Sequence, residues 1–160
     1  MNDVKDNMQR LILTSLIVAL FSGLAIGIQS SLISVAGKNT GAMLTGLLVN
    51  ALAGVAAGLL LVVVYVRGGN NAFSAIQAPT LGVIVVAGLL GIGIIVGIAY
   101  ALPKIGVAAG LSMIITGQMA MGVLVDTYGF VDGQSIPLNW ARIGGLVLLA
   151  LGTWFIVPKG

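Results

Sequence analysis

The stretch GVAAGLSMIITGQMAMGVLVDTYG, residues 106–129, is apolar apart from one amide, Gln118, a few hydroxyl groups and a polar end that begins at Asp126. At a rise of about 1.5 Å per residue, a helix of this length crosses a hydrocarbon core of about 30 Å. Gln118 would then lie inside the membrane, where an unpaired amide costs on the order of several kcal/mol. Two interpretations remain open: a hydrogen bond to a neighbouring helix, or a polar group that lines a solute path.

The whole chain has the composition of an integral membrane protein. Of its 160 residues, 59% are hydrophobic and 7% are charged, whereas soluble proteins carry about 25% charged residues. The 7 basic and 4 acidic residues give a net charge of +3 and are scattered singly, so no basic stripe could follow a phosphate backbone. Cysteine and histidine are absent from the sequence, which excludes disulfides, thiolate or imidazole metal sites and the commonest catalytic triads. Composition therefore argues against a nucleic-acid-binding protein and against an enzyme, and we expect neither a cofactor nor a bound metal.

The apolar runs predict an all-α integral membrane protein with five transmembrane helices. In a single membrane domain, residues 1–160, the predicted spans are approximately residues 11–36, 41–66, 80–102, 105–126 and 140–157. The sequence GKNT, residues 37–40, predicts a turn, and residues 103–104 predict a tight connection. Longer loops are expected at residues 67–79, with a candidate interfacial segment around Phe73, and at residues 126–139. The first span is too long for a signal peptide, and an odd number of spans puts the two termini on opposite sides.

The distribution of basic residues hardly favours one orientation over the other. With a cytoplasmic N-terminus, the inner side carries Lys5, Arg10, Arg67 and Arg142, and the outer side carries Lys38, Lys104 and Lys159. Because an excess of Lys and Arg on one side fixes orientation, this balance allows insertion both ways. Pairing with an oppositely oriented sister protein, or a fixed orientation set by Arg10, are the alternatives. We expect an antiparallel dimer of ten helices, since many transporters are built from inverted repeats.

Three amides are candidate solute-binding groups. Gln29 is predicted roughly 10 Å below the outer end of span one and Asn50 roughly 13 Å into span two, while Gln118 is predicted roughly 12 Å from the opposite face. Within one chain Gln118 would then lie away from the other two amides, whereas in an antiparallel pair it comes level with them. We therefore expect two equivalent clusters of Gln29, Asn50 and Gln118, with the hydroxyls of Ser30 and Thr116 nearby.

Glycine spacing predicts closely packed helices. Pairs at the small-xxx-small spacing are Gly23 with Gly27, Gly54 with Gly58, Gly93 with Gly97, and Gly106 with Gly110, and Gly117 precedes the central amide. Such pairs let helix backbones approach one another in membranes.

Acidic and lysine side chains are absent from the middle of the predicted spans. Asp126 stands at a span end, and Asp3, Asp6 and Asp132 lie in polar segments. A proton-coupled cation exporter normally keeps a membrane-embedded carboxylate, so we expect a neutral, zwitterionic or anionic solute. Asp126 and Arg142 flank the same loop, which predicts an ion pair that either pins the loop or acts as a gate.

Several segments together resemble a known transporter family. They are IQSSL (residues 28–32), LPKIG (102–106), TGQM (116–119), DTYG (126–129) and RIGGLVLLALG (142–152). Across residues 11–157 the chain resembles the YdcZ-like five-span branch of the drug/metabolite transporter superfamily. The resemblance implies a half-size unit of a bacterial inner membrane that works as an antiparallel homodimer or with a sister protein. The loop at residues 67–79 departs from it, because it is rich in Gly and Asn.

The leading hypothesis is therefore a half-size secondary transporter for a small organic solute, with export as the favoured direction. A small dual-topology ion channel would also use an inverted pair and polar side chains without deep acids. A membrane subunit that stabilises a partner without transporting anything is the third reading. Flux separates them, because a channel passes ions far faster than a carrier and shows no counterflow.

Overall fold

The structure is a computed structural model that describes residues 2–68, 77–130 and 133–158, with side chains from Met8 onward. Within these residues the chain is all α and contains no strand. The helices are α1 (Asn2–Thr40), α2 (Ala42–Gly68), α3 (Ala78–Ile105), α4 (Val107–Tyr128) and α5 (Trp140–Ile156). The all-α class expected from the apolar runs is confirmed. The structure does not describe most of the loop at residues 67–79, including Phe73, or the residues Asp132 and Lys159. It also does not describe the side chains of Asp3, Lys5 and Asp6.

A single glycine joins α1 to α2, where the sequence predicted a turn over residues 37–40. Helix α1 continues to Thr40, and only Gly41 lies outside a helix before α2 begins. Gly41 has a φ of 82°, which L-residues with a side chain rarely adopt. The hydroxyl of Thr40 donates to the carbonyl of Ala36 at 3.0 Å and shares a 2.6 Å hydrogen bond with the hydroxyl of Thr45. These bonds satisfy the polar end of α1 locally, so the helix runs through the predicted turn.

A second single glycine, Gly106, joins α3 to α4 with a φ of 88°. The predicted connection at Pro103 and Lys104 is instead part of the last turn of α3. Because Pro103 has no N–H, the carbonyl of Ala99 four residues earlier loses its helical partner. That carbonyl faces α1, where it lies 2.6 Å from the position that a Cβ on Gly37 would occupy. The proline therefore does not end the helix, and it marks the place where α3 meets α1 most closely.

Four helices are long and apolar enough to cross a membrane: α1 from Met8, α2, α3 and α4. Helix α5 is apolar too but has 17 residues, or roughly 25 Å of helix, which is at the lower limit for a span. The fifth predicted span is thus present as a helix, and it is the shortest of the five.

Helix α3 is the centre of the arrangement and packs against α1, α2 and α4. Helix α4 contacts α1 and α3 on one side and α5 on the other. Among the helices as described, α5 contacts α4 alone. The α4–α5 hairpin is therefore attached to the α1–α3 bundle through α4.

The buried core lies near the two glycine joints. It consists of Ile33 from α1 together with Ile98, Ala99 and Leu102 from α3, and Ala109 of α4 is also buried. Along the chain, each of these residues is within about one to two helical turns of Gly41 or Gly106. The opposite halves of the helices contribute none of the described buried apolar side chains.

The glycines that bring helices together are mostly not those predicted from spacing. A Cβ on Gly23, Gly27, Gly54, Gly58, Gly93, Gly97, Gly106 or Gly117 would meet no atom within 4 Å, so within one chain these eight pack against nothing. Gly110 does pack, against Leu102 of α3. The close approaches are instead at Gly37, against Ala99, and at Gly46, against Val96. Spacing alone missed these two because it cannot tell which face of a helix meets a neighbour.

The surface of the chain is far larger than that of a compact protein. The chain exposes 12141 Å², whereas a compact soluble protein of its mass, 16.2 kDa, exposes about 7500 Å². Large apolar side chains are exposed on every helix. Lipid or another protein must cover these side chains in a membrane.

Candidate functional site: amides at mid-depth

The three predicted amides lie at similar depths in the structure. Counted from Gly41, Gln29 is 12 residues away and Asn50 is nine; counted from Gly106, Gln118 is 12 residues away. These counts correspond to roughly 18, 14 and 18 Å along the helix axes. In a core about 30 Å thick these counts leave Gln118 roughly 12 Å from the opposite face. They put Gln29 deeper than expected, because α1 extends to Thr40. All three amides are near the middle of a core about 30 Å thick.

Asn50 lies at the contact between α2 and α3. Its Nδ2 donates to the carbonyl of Gly46 at 2.8 Å. Its Oδ1 lies 3.9 Å from the position that a Cβ on Gly91 would occupy, which is an ordinary van der Waals separation. Asn50 is half-buried and partly satisfied by its own helix. Gly91 is a residue that sequence reasoning missed.

Gln118 lines a groove between α3 and α4. The groove has a volume of about 320 Å³, and its lining includes Ile94, Gly97, Ile98, Met113 and Ile114. Gly97, which was predicted to pack against another helix, leaves space in this groove instead. The amide of Gln118 is exposed and has no hydrogen-bond partner among the described side chains and backbone groups.

Gln29 and Ser30 stand side by side on α1 but face different surroundings. Gln29 is exposed, and within the described part of the chain its amide makes no hydrogen bond. Ser30 is 1% exposed and points into the bundle. The expectation that the hydroxyl of Ser30 meets solute does not fit this conformation, because successive residues of a helix point about 100° apart.

Thr116 joins α4 to α5. Its Oγ1 donates to the carbonyl of Ser112 at 2.8 Å and shares a 2.8 Å hydrogen bond with the hydroxyl of Thr153. Thr153 is 6% exposed, and its Oγ1 also lies 3.3 Å from the carbonyl oxygen of Ser112. In this conformation the hydroxyl of Thr116 is engaged in both bonds between and within helices, and its role towards solute stays a prediction. Thr153 was missed, although it carries the sole hydroxyl in the sequence of α5.

Asp126 and Arg142 are in contact at the other end of the α4–α5 hairpin. The guanidinium Nη2 of Arg142 donates to Oδ2 of Asp126 at 3.0 Å, and the side chains are 25% and 45% exposed respectively. Asn139 caps α5 by accepting a 2.9 Å hydrogen bond from the backbone N–H of Arg142. The backbone N–H of Ile136 donates to the carbonyl of Asp126 at 2.9 Å. The pair thus connects the end of α4, the following loop and the start of α5.

One atom of this cluster has no partner: Nη1 of Arg142 is buried without a hydrogen bond to any described group. A buried donor of this kind raises the free energy of the state that contains it.

At the joint end of α3, Nζ of Lys104 lies 3.1 Å from the centroid of the Tyr100 ring. Within the described residues, no group of three acidic, histidine or cysteine side chains is arranged to hold a metal ion.

Comparison with known proteins gives one match. The profile of the family DMT_YdcZ, described as "Putative inner membrane exporter, YdcZ", matches residues 14–155. No curated protein and no solved structure matches the chain. The family description and the long apolar helices together support a transporter that is a multi-pass protein of the inner membrane. The match covers most of the sequence, and the chain therefore belongs to the YdcZ family of inner membrane exporters.

Proposed function

We propose that this chain is half of a secondary transporter, completed by a second copy inserted in the opposite orientation. The assembled antiparallel dimer exports a small organic solute across the bacterial inner membrane. The observation that carries this proposal is the pair of exposed amides, Gln29 and Gln118, near the middle of an apolar helix bundle.

Gln29 and Gln118 carry amides that have no partner among the described residues. An amide that faces hydrocarbon without a partner costs on the order of several kcal/mol. Two such amides on one small protein favour a state in which something polar covers them. A second copy supplies amides within about 6 Å of the same depth, and a cavity between the copies supplies solute or water.

Inversion would bring the amides of two copies to similar depths in the membrane. In an antiparallel pair the two-fold axis lies in the membrane plane. The distance of a residue from one membrane face in one copy therefore equals the distance of the same residue from the opposite face in the other copy. A residue roughly 18 Å from one face of a core about 30 Å thick is roughly 12 Å from the other. Gln29 of one copy and Gln118 of the other therefore differ in depth by about 6 Å. Extended amide side chains and one intervening solute can bridge this distance.

Several glycines of α1 and α2 face no neighbouring atom within the single chain. A Cβ added at Gly23, Gly27, Gly54 or Gly58 would have no neighbour within 4 Å. Small residues at this spacing let helices approach closely in membranes. We assign these open positions to packing against the inverted copy or a sister protein.

The favoured solute is neutral, zwitterionic or anionic. Asp126 is the sole acidic residue whose side chain the structure describes, and it is at the end of α4, paired with Arg142. A carrier that exchanges protons for cations usually has a carboxylate at mid-depth. Amides recognise neutral and anionic groups without such a carboxylate.

Counterflow in vesicles tests the transport function. The purified protein is reconstituted alone, vesicles are loaded with unlabelled amino acids, sugars, alcohols or carboxylic acids, and exchange of each labelled compound is measured. The proposal predicts saturable exchange of at least one class, and Gln118→Leu reduces this exchange more than Met119→Leu does. Rapid ion conduction without counterflow would identify a channel, and the absence of any flux would identify a non-transporting subunit.

A further inference from the structure

The groove between α3 and α4 has a defined polar end. Ile94 on α3 and Gln118 on α4 are each 12 residues from Gly106, so they stand level across the groove. Ile105 at the other end of the lining is next to the joint. The groove thus extends roughly 17 Å along the helices, from the joint to mid-depth, where the amide is.

The lining of this groove carries no ionisable side chain, and Gln118 is the one polar side chain in it. The remaining lining residues are aliphatic side chains, a methionine and two glycines. A volume of about 320 Å³ is at the small end of the range for ligand sites, about 300 to 1000 Å³. Apolar walls with one convergent polar group are typical of sites for small ligands.

We propose that this groove binds an elongated, uncharged solute with an apolar body and one hydrogen-bonding group, which the amide of Gln118 recognises. The inference rests on the proposed function and narrows its solute class. A charged group in the groove would lose its hydration without gaining a counter-ion, which is costly in a low-dielectric site. A lipid acyl chain would fill the walls but leave the amide unpaired, so the single polar group favours a solute over a lipid tail.

Two glycines of α3 provide a matched test. A Cβ on Gly97 or on Gly93 would meet no atom within 4 Å, so both positions accept a larger side chain without a clash within the chain. Gly97 lines the groove, whereas Gly93, one helical turn earlier, does not. Gly97→Leu therefore fills the groove, and Gly93→Leu is the control of equal size and hydrophobicity. Gln118→Leu removes the polar end while keeping the walls.

The probes are 1-octanol, octanoate and octylammonium, which share an apolar chain and differ in the charge of the polar group. The measurement is the change in Tm of the full-length protein in detergent as each probe is added. At about four times its Kd, 1-octanol should raise the Tm of the wild type and of Gly93→Leu by roughly 2 to 4 °C relative to Gly97→Leu. Gln118→Leu should lose most of that rise, and the two charged probes should produce little of it.

Equal shifts in Gly97→Leu and Gly93→Leu would overturn the inference, because they would mean that the probe acts through the detergent or a general apolar surface. Equal shifts from the charged probes would overturn the assigned solute class. Binding of 1-octanol without counterflow in vesicles would contradict the transport function and would still support a binding site in the groove. Counterflow of some other solute, without protection by 1-octanol, would contradict this inference alone.

Discussion

At the scale of single residues, the structure divides the polar side chains of the helices into two groups. Thr116, Thr153 and Asp126 make hydrogen bonds or ion pairs within the α4–α5 hairpin. Gln29 and Gln118 are exposed and have no partner in the part of the chain described. The first group stabilises the chain, and we assign the second to the solute path. Two substitutions test the stabilising group.

Replacing Asp126 with Asn removes the ion pair with Arg142 while keeping the size of the side chain. Both side chains are partly exposed, so we expect a loss of up to about 1 kcal/mol in detergent stability. If the pair pins the loop, any remaining transport keeps its solute preference. Thermal unfolding and counterflow of the same preparation measure the two effects. A changed solute preference, or faster flux at unchanged stability, would instead identify a gate.

Replacing Thr153 with Val removes one hydroxyl between α4 and α5 without changing the shape of the side chain. Hydrogen bonds between membrane helices contribute about 0.6 to 2 kcal/mol, so we expect a loss of stability in that range. Thr14→Val is the matched control, because the hydroxyl of Thr14 is exposed and donates to the carbonyl of Arg10 in its own helix. Equal unfolding temperatures for the two variants would show that the Thr116–Thr153 bond does not hold the hairpin together.

At the scale of elements, helix α3 organises the bundle through a few very close contacts. Gly37 approaches Ala99, and Gly46 approaches Val96. The sequence predicted helices and the class of the fold, because apolar runs and membrane thickness determine both. It misplaced the ends of α1 and α3, because residues 37–40 and Pro103 are turn signals that local hydrogen bonding and helix packing overcome. It also missed Gly37, Gly46 and Gly91, since one sequence does not show which helix faces meet.

Gly46→Ala tests the contact between α2 and α3. The added Cβ would meet Cγ2 of Val96 and lie 3.1 Å from its backbone nitrogen, so α2 must shift. We expect a loss of about 1 to 3 kcal/mol, as for other overpacked sites. Gly88→Ala on α3 meets nothing within 4 Å, and the better helix propensity of alanine makes it neutral or stabilising by up to about 1 kcal/mol. Equal unfolding free energies for the two variants, measured in detergent, would contradict the packing.

At the scale of the whole molecule, the chain leaves much apolar surface uncovered among the described residues. Its described core lies near the two glycine joints, its fifth helix contacts one neighbour, and its apolar surface exceeds that of a compact protein. The amides could be chosen from the sequence because polar residues in apolar spans are rare. The depth of Gln29 could not, because it depends on a joint that the turn pattern misplaced. An inverted second copy remains our proposal for what completes the molecule.

The orientation of the chain in cells tests this proposal most directly. The sequence contains no cysteine, so single variants Asn39→Cys and Gly68→Cys, which keep every Lys and Arg, can each be labelled with a membrane-impermeant maleimide. These residues are near opposite ends of α2 and its joint with α1. With the chain expressed alone, our account predicts that each variant is labelled from outside in a comparable fraction of copies. Complete labelling of one variant and none of the other would contradict the antiparallel dimer of identical chains.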